Sequence, residues 1–204
     1  MNNETKTISI LLVVHDQAAL LEQNLPLFLD TAKEAGAQVV VIDDMSTDST
    51  PDVLQRLRND YDNLYTTFLP KSVIKNPSRR RLALSVGVKA AKGNYIVMAD
   101  IHRPPLSVEW LTELADGEAA LVYTNRKGEQ TTHVVASQLE DLKSTIIKAE
   151  RKNERGHCGH WLKQHRGLYD AFAVKKSRAF DAISYVDQPV SGWQLLGLRL
   201  KVWL

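Results

Sequence analysis

Apolar and polar positions fall into blocks along the first half of the chain, and the blocks switch between two periods. "ISILLVV" (8–14), "QVVVI" (38–42) and "YIVMA" (95–99) are short continuous apolar runs, as expected of strands buried on both faces. "NLYTTFL" (63–69) reads as a further strand. Between these runs the apolar residues follow helical spacing. Leu21, Leu25, Phe28, Leu29 and Ala32 predict a helix from near Ala18. Asp16 is expected to cap it, Pro26 to kink or restart it, and Gly36 to end it. Thr50-Pro51 opens a second helix, with Val53, Leu54 and Leu57 on its buried side. A third follows Ser78 as cap, carries Leu82, Val86 and Ala90 on one face, and stops at Gly93.

The second half is less regular. Pro104-Pro105 breaks the chain, and Ser107 starts a helix with Val108, Trp110, Leu111 and Leu114. "ALVYT" (120–124) and "THVVA" (132–136) read as strands around the turn "NRKGEQ". Residues 137–155 read as a charged helix, and "LYDAFAV" (168–174) as a strand. Strands alternating with helices over such short connections predict an α/β fold: a mostly parallel central sheet flanked by helices. No internal repeat or domain boundary is visible, so one domain over 1–204 is expected.

Composition narrows the function classes. The chain is 44% apolar and 25% charged, as ordinary globular proteins are. A formal net charge of +2 calls for no nucleic-acid partner, and "KNPSRRR" is too short on such a chain to make one. Its basic side chains are expected on a helix face whose first turn can hold a phosphate. The single cysteine, Cys158, excludes an internal disulfide and fits a reducing compartment. "MNNETKTISILLVVHD" lacks the pattern of a signal peptide, and no run reaches the roughly 18 apolar residues of a membrane span. A cytoplasmic location is expected, including the inner face of the membrane. The apolar terminus "WQLLGLRLKVWL", with Arg199 and Lys201, is compatible with the core, a membrane surface or a membrane-bound partner.

In an open parallel sheet, ligands bind at the carboxyl ends of strands near the topological switch point. Three polar clusters fall at such ends: His15-Asp16, Asp43-Asp44 and Asp100-Ile101-His102. Carboxylates gathered on one rim repel one another unless a cation is bound, and a divalent cation with a nucleoside diphosphate would serve. Asp100 and His102, two apart at a strand exit, point the same way if the backbone stays extended. Carboxylate suits Mg²⁺ or Mn²⁺, and imidazole moves the preference toward Mn²⁺. The plain alternative is a loop-capping Asp100 and a solvated His102. "DDMSTDST" has the same alternative, since loops and caps use these residues anyway.

Taken together, these blocks resemble a family 2 glycosyltransferase with a single Rossmann-like, nucleotide-diphospho-sugar-binding domain. "ISILLVVHDQAALLEQNLP" resembles the family's opening strand and helix. "VVVIDDMSTDSTPDVL" resembles its acidic turn, V-D-D-x-S-x-D-G-T. "RRRLALSVGVKAAKGNYIVMAD" resembles the helix and strand that lead to its metal motif. The resemblance covers about residues 7–115, the nucleotide-binding half, and leaves about 116–204 as the acceptor half. It implies transfer of a sugar from a nucleotide diphosphate sugar, uridine-linked, to a glycan or lipid-linked acceptor, with inversion and with Mn²⁺ or Mg²⁺. It implies that Asp43 or Asp44 contacts the uracil or ribose, and that Asp100 is the first acid of D-x-D. His102 stands where the second acid, the metal ligand, usually lies. Asp16 and Arg81 complete the candidate nucleotide-binding set.

Two departures follow. Asp16-Gln17 stands where the family has Asn-Glu, and Gly192-Trp193-Gln194 stands where it has the acids that supply the general base. Tryptophan and glutamine accept no proton from an acceptor hydroxyl. Asp187 and the histidines of "GHCGHWLKQH", His157, His160 and His165, are the remaining candidates for that role, with Asp187 and His160 foremost. Those histidines also suit a polar loop, or completion of the metal site. The missing acids leave open a second class, a non-catalytic nucleotide-binding or partner subunit. A nucleotidyltransferase is a third.

Overall fold

The computed structural model describes residues 6–69, 79–105, 107–109, 111, 119–124, 130–135 and 169–184. The Ser78 cap, most of the helix from Ser107, the 137–155 helix, the histidine-rich stretch, Asp187 and the terminus from Gly192 lie outside them.

The first half runs β1 (Ile8–Val14), α1 (Ala18–Glu34), β2 (Gln38–Asp43), α2 (Thr50–Asp60), β3 (Leu64–Phe68), α3 (Arg79–Ala90) and β4 (Tyr95–Ala99). The second half contributes β5 (Ala119–Thr124), β6 (Gln130–Val135), β7 (Tyr169–Lys175) and α4 (Lys176–Ser184). Among the described residues, seven strands form one sheet in the order β3-β2-β1-β4-β7-β5-β6. The first four are mutually parallel, and β7, β5 and β6 continue the sheet in antiparallel pairing. The chain moves outward from β1 to β2 and β3, then crosses back to place β4 on the other side of β1. The gap between β1 and β4 is therefore the switch point.

Strict alternation along the strands explains the continuous apolar runs. Ile10, Leu12, Val14, Val39, Val41 and Val97 pack on one face against Leu21, Leu25, Phe28 and Leu29 of α1 and Val53, Leu54 and Leu57 of α2. Leu11, Val40, Ile42, Ile96 and Met98 pack on the other against α3 and α4. The inner strands β1, β2 and β4 are thus covered on both sides, as a parallel sheet requires, whereas the edge strand β3 leaves Tyr65 and Phe68 exposed.

Local chemistry sets the boundaries. Helix α1 ends in a Schellman motif: Gly36 has φ +64°, its N–H donates to Lys33 O at 3.1 Å, and Ala37 N–H donates to Ala32 O at 2.7 Å. Pro26 lies inside α1, but the helix continues through it without a restart. The carbonyl it leaves unbonded belongs to Glu22, on the exposed side where water reaches it. Helix α3 corrects the expected face. Ala83, Leu84, Gly87 and Val88 are buried, whereas Leu82 is exposed. Ala83 and Gly87 let this face lie close to the sheet, where a Cβ on Gly87 would meet Ile42 Cδ1 at 2.8 Å, with Leu84 and Val88 packed beside them and Val86 and Ala90 only half-buried. Among the described residues, no helix is long and apolar enough to cross a membrane.

Candidate functional site

Parallel pairing brings three strand ends to one rim. Val14 is in register with Asp43, and Leu12 with Ala99, so His15-Asp16, Asp43-Asp44 and Asp100-His102 leave neighbouring strands at similar height. Two strand spacings, about 10 Å, separate the exits of β2 and β4 across the switch point.

The β1 and β2 loops are stitched together. Asp16 takes the left-handed conformation, φ +49°, and its carboxylate accepts the N–H of Thr47 at 2.6 Å and of Asp48 at 3.3 Å. The expected cap role passes to Asp48. Its Oδ2 accepts the N–H of Ala18 at 3.0 Å, and its Oδ1 that of Thr50 at 2.9 Å. Asp16 makes no such cap, because its backbone turns away before the helix begins. Both carboxyls are held below the ordinary carboxylate range, Asp16 mainly by the Thr47 N–H and Asp48 mainly by the hydroxyl of Thr50. Met45 is also left-handed, φ +62°, an uncommon state for an unbranched apolar side chain. His15 Nδ1 lies 2.7 Å from the carbonyl of Asp44 and ties the end of β1 to that of β2.

The two acids at the end of β2 differ. Asp43 is buried, and its Oδ1 accepts the N–H of Ser46 at 2.9 Å, which shapes the loop. Asp44 turns toward α3, where Arg79 Nε donates to its Oδ1 at 2.8 Å and Nη2 donates to the same oxygen. The carboxylate in turn raises the Arg79 guanidinium above its ordinary value. Arg79 was not among the expected site residues. It lies one turn ahead of Ala83 on the stripe that faces the sheet. Arg81, the expected basic residue, is half-buried on the same helix.

At the end of β4 the chain turns at once. Asp100 O accepts the N–H of Arg103 at 2.9 Å. Asp100 Oδ1 accepts the N–H of His102 at 3.0 Å and faces its Nδ1 at 2.8 Å. In a neutral ring, a carboxylate partner at Nδ1 fixes the proton there and leaves the lone pair on Nε2. The side chains of Asp100 and His102 are 35% and 58% exposed, so solvent reaches both. Ile101 between them is buried in the core beside α1. Among the described residues no group of three His, Cys, Asp or Glu is placed to hold a metal ion. With the carboxylate at Nδ1, Nε2 lies on the side of the ring away from Asp100, so the imidazole must turn before both residues can reach one cation, whose other ligands would be diphosphate oxygens and water, the usual manner for Mg²⁺-type sites. The two residues do not make a closed protein site.

The family model of glycosyl transferase family 2 matches residues 9–161. The chain belongs to glycosyl transferase family 2. Among solved structures, the mannosyltransferase PcManGT from Pyrobaculum calidifontis, in complex with GDP-Man and Mn²⁺, is similar at TM-score 0.52 and 17% identity, over 85% of this chain and 45% of its own. GalNAc-T7 with UDP, GalNAc and Mn²⁺ is similar at TM-score 0.50 and 15% identity, over 86% of this chain and 36% of its own. A mycobacterial protein is similar at TM-score 0.51 and 16% identity, over 85% of this chain and 54% of its own. This family 2 chain thus spans about half or less of the length of those structures. At such identities the likeness establishes the Rossmann-like fold of nucleotide-sugar transferases.

Proposed function

We propose that this chain transfers a sugar from a nucleotide diphosphate sugar, uridine-linked, to a glycan or lipid-linked acceptor, with inversion at the sugar carbon. One observation carries the reading. The acids at the ends of β2 and β4 flank the switch point, with Arg79 on the first and an imidazole on the second. A nucleoside is read at the β2 end by the Asp44–Arg79 pair, in the place where such folds read ribose. Asp16, Asp43 and Asp48 shape the loops that hold it. The diphosphate lies toward β4, where Asp100 and His102 would hold Mn²⁺ or Mg²⁺. When bound, the cation neutralises charge on the departing diphosphate.

In the step itself, the acceptor oxygen bonds to the sugar carbon and the carbon–diphosphate oxygen bond breaks. The diphosphate leaves with the electron pair, and the acceptor proton passes to a base. Asp187 and His160 are the candidates for that base. A second reading, binding without turnover, is favoured by Gly192-Trp193-Gln194 where the family has acids.

The test is release of nucleoside diphosphate from a panel of nucleotide diphosphate sugars, with Mn²⁺ and a glycan or lipid-linked acceptor. Turnover that is lost in Asp100→Asn and in either Asp187→Asn or His160→Ala supports transfer. Tight nucleotide binding with no turnover of any donor supports the second reading. Consumption of a nucleoside triphosphate with pyrophosphate release would overturn both.

A further inference from the structure

We infer that Asn24 is a positioning residue for the Asp100–His102 turn and, resting on the reading above, for the divalent cation held there. Asn24 lies on the buried side of α1, between Leu21 and Phe28, and is 7% exposed. The surroundings are apolar. Asparagine is a poor residue for a helix interior, and an amide buried without a partner is costly. Leucine would satisfy both helix and core. What the amide does is specific: Nδ2 donates to the carbonyl of Ile101 at 2.9 Å, across 77 residues of sequence.

Ile101 is the residue between the two donors. Its side chain is 2% exposed in the same apolar cluster as α1, and its carbonyl is held by Asn24. The turn is therefore fixed at its centre by packing and by one buried hydrogen bond. Asp100 and His102, on either side, close on each other through Asp100 Oδ1. Removing the amide donor frees the middle of the turn while leaving Asp100 and His102 in the sequence. Asn24 touches neither ligand but holds the residue between them, and groups that orient ligands from outside the metal's own shell tune affinity as well as geometry.

The test uses the full chain as wild type, Asn24→Leu and Asn24→Ala. Leucine keeps the volume, and alanine keeps a helix former if leucine does not fold. Amide hydrogen exchange in metal-free protein is read at His102 and Arg103 against Tyr95–Ala99 of β4. Calorimetry reads UDP binding with and without Mn²⁺. The expected result is faster exchange confined to His102 and Arg103. The Mn²⁺-dependent gain in UDP affinity falls roughly tenfold or more, and metal-free UDP affinity stays at the wild-type level. A folded variant with wild-type exchange and wild-type Mn²⁺ gain would overturn the inference. So would a uniform rise in exchange along β4 with matching loss of metal-free binding, which marks a merely structural role. If wild type shows no Mn²⁺-dependent binding, the cation reading fails by itself, and exchange at His102 and Arg103 still decides whether Asn24 positions the turn.

Discussion

Asp48 lies in the loop after β2 and Ala18 opens α1, yet the carboxylate of the first caps the helix begun by the second, with Oδ2 accepting the Ala18 N–H at 3.0 Å. Asp16 repays the contact by accepting the N–H groups of Thr47 and Asp48. The two loops that border the nucleoside end of the site are thus one unit. Asp48→Ala removes caps from α1 and α2 together. The melting temperature is expected to fall by a few degrees, the ordinary effect of a lost cap. The N–H of Ala18 and of Thr50 should both lose exchange protection. Loss at only one of them would contradict the shared cap.

Acid should undo the same unit, and only strong acid. The folded-state carboxyls of Asp16 and Asp48 lie below the ordinary 3.8. A depressed carboxyl stabilises above its unfolded value and loses that contribution as pH falls through the folded one. The stitched loops are therefore expected intact at pH 5 and to open below 3.8. Carboxyl-carbon NMR titration checks this. A midpoint for Asp16 or Asp48 at or above 3.8 would contradict it.

Asp44 and Arg79 should act in nucleotide binding as a pair. Arg79→Ala or Asp44→Asn is expected to weaken UDP binding about tenfold, in the range of one charge-assisted hydrogen bond. The double variant should bind about as weakly as either single one, because each change removes the same arrangement. Full additivity would show that the two residues act separately.

Two glycines make opposite predictions. A Cβ on Gly93 would lie 2.7 Å from backbone atoms of Thr7, Ile8 and Ser9, which cannot swing away. Gly93→Ala is expected to cost about 1–3 kcal/mol in a urea titration. At Gly87 the obstacle is the Cδ1 of Ile42, the end of a side chain that can change rotamer. Gly87→Ala should cost less. Equal costs would mean that the sheet, not the side chain, limits how closely α3 approaches.

β1, β2 and β4 are legible because they are buried on both faces, which leaves continuous apolar runs in sequence. Gly36 marks the end of α1 through its left-handed backbone, whereas Gly93, the expected stop of α3, lies three residues past Ala90, where the chain passes close to Thr7, Ile8 and Ser9. The face of α3 was not legible in the same way. Leu82, Val86 and Ala90 make one apolar line and the equally large Leu84 and Val88 make another, so size points to the wrong face as readily as to the right one, and the close approach of Gly87 to Ile42 selects the second. That error hid Arg79, which a stripe through Ala83 and Gly87 would have aimed at the sheet. Proximity points to Asp16 as the cap of α1, but the accepting carboxylate belongs to Asp48, 30 residues beyond Ala18, and no local rule encodes that contact. Asn24 escaped for a related reason: its partner is a backbone carbonyl, which carries no residue signal. The base stayed unassigned because Gly192-Trp193-Gln194 breaks the family pattern at the position that would name it.

The central claim is a nucleoside diphosphate bound across the switch point with a cation on Asp100 and His102. Calorimetric titration of wild type and His102→Ala with UDP, with and without Mn²⁺, tests it most directly. The account predicts binding that Mn²⁺ strengthens in wild type, with the Mn²⁺-dependent part lost in His102→Ala and the metal-free part retained. No UDP binding in either condition, or a Mn²⁺ effect that survives in His102→Ala, would contradict it.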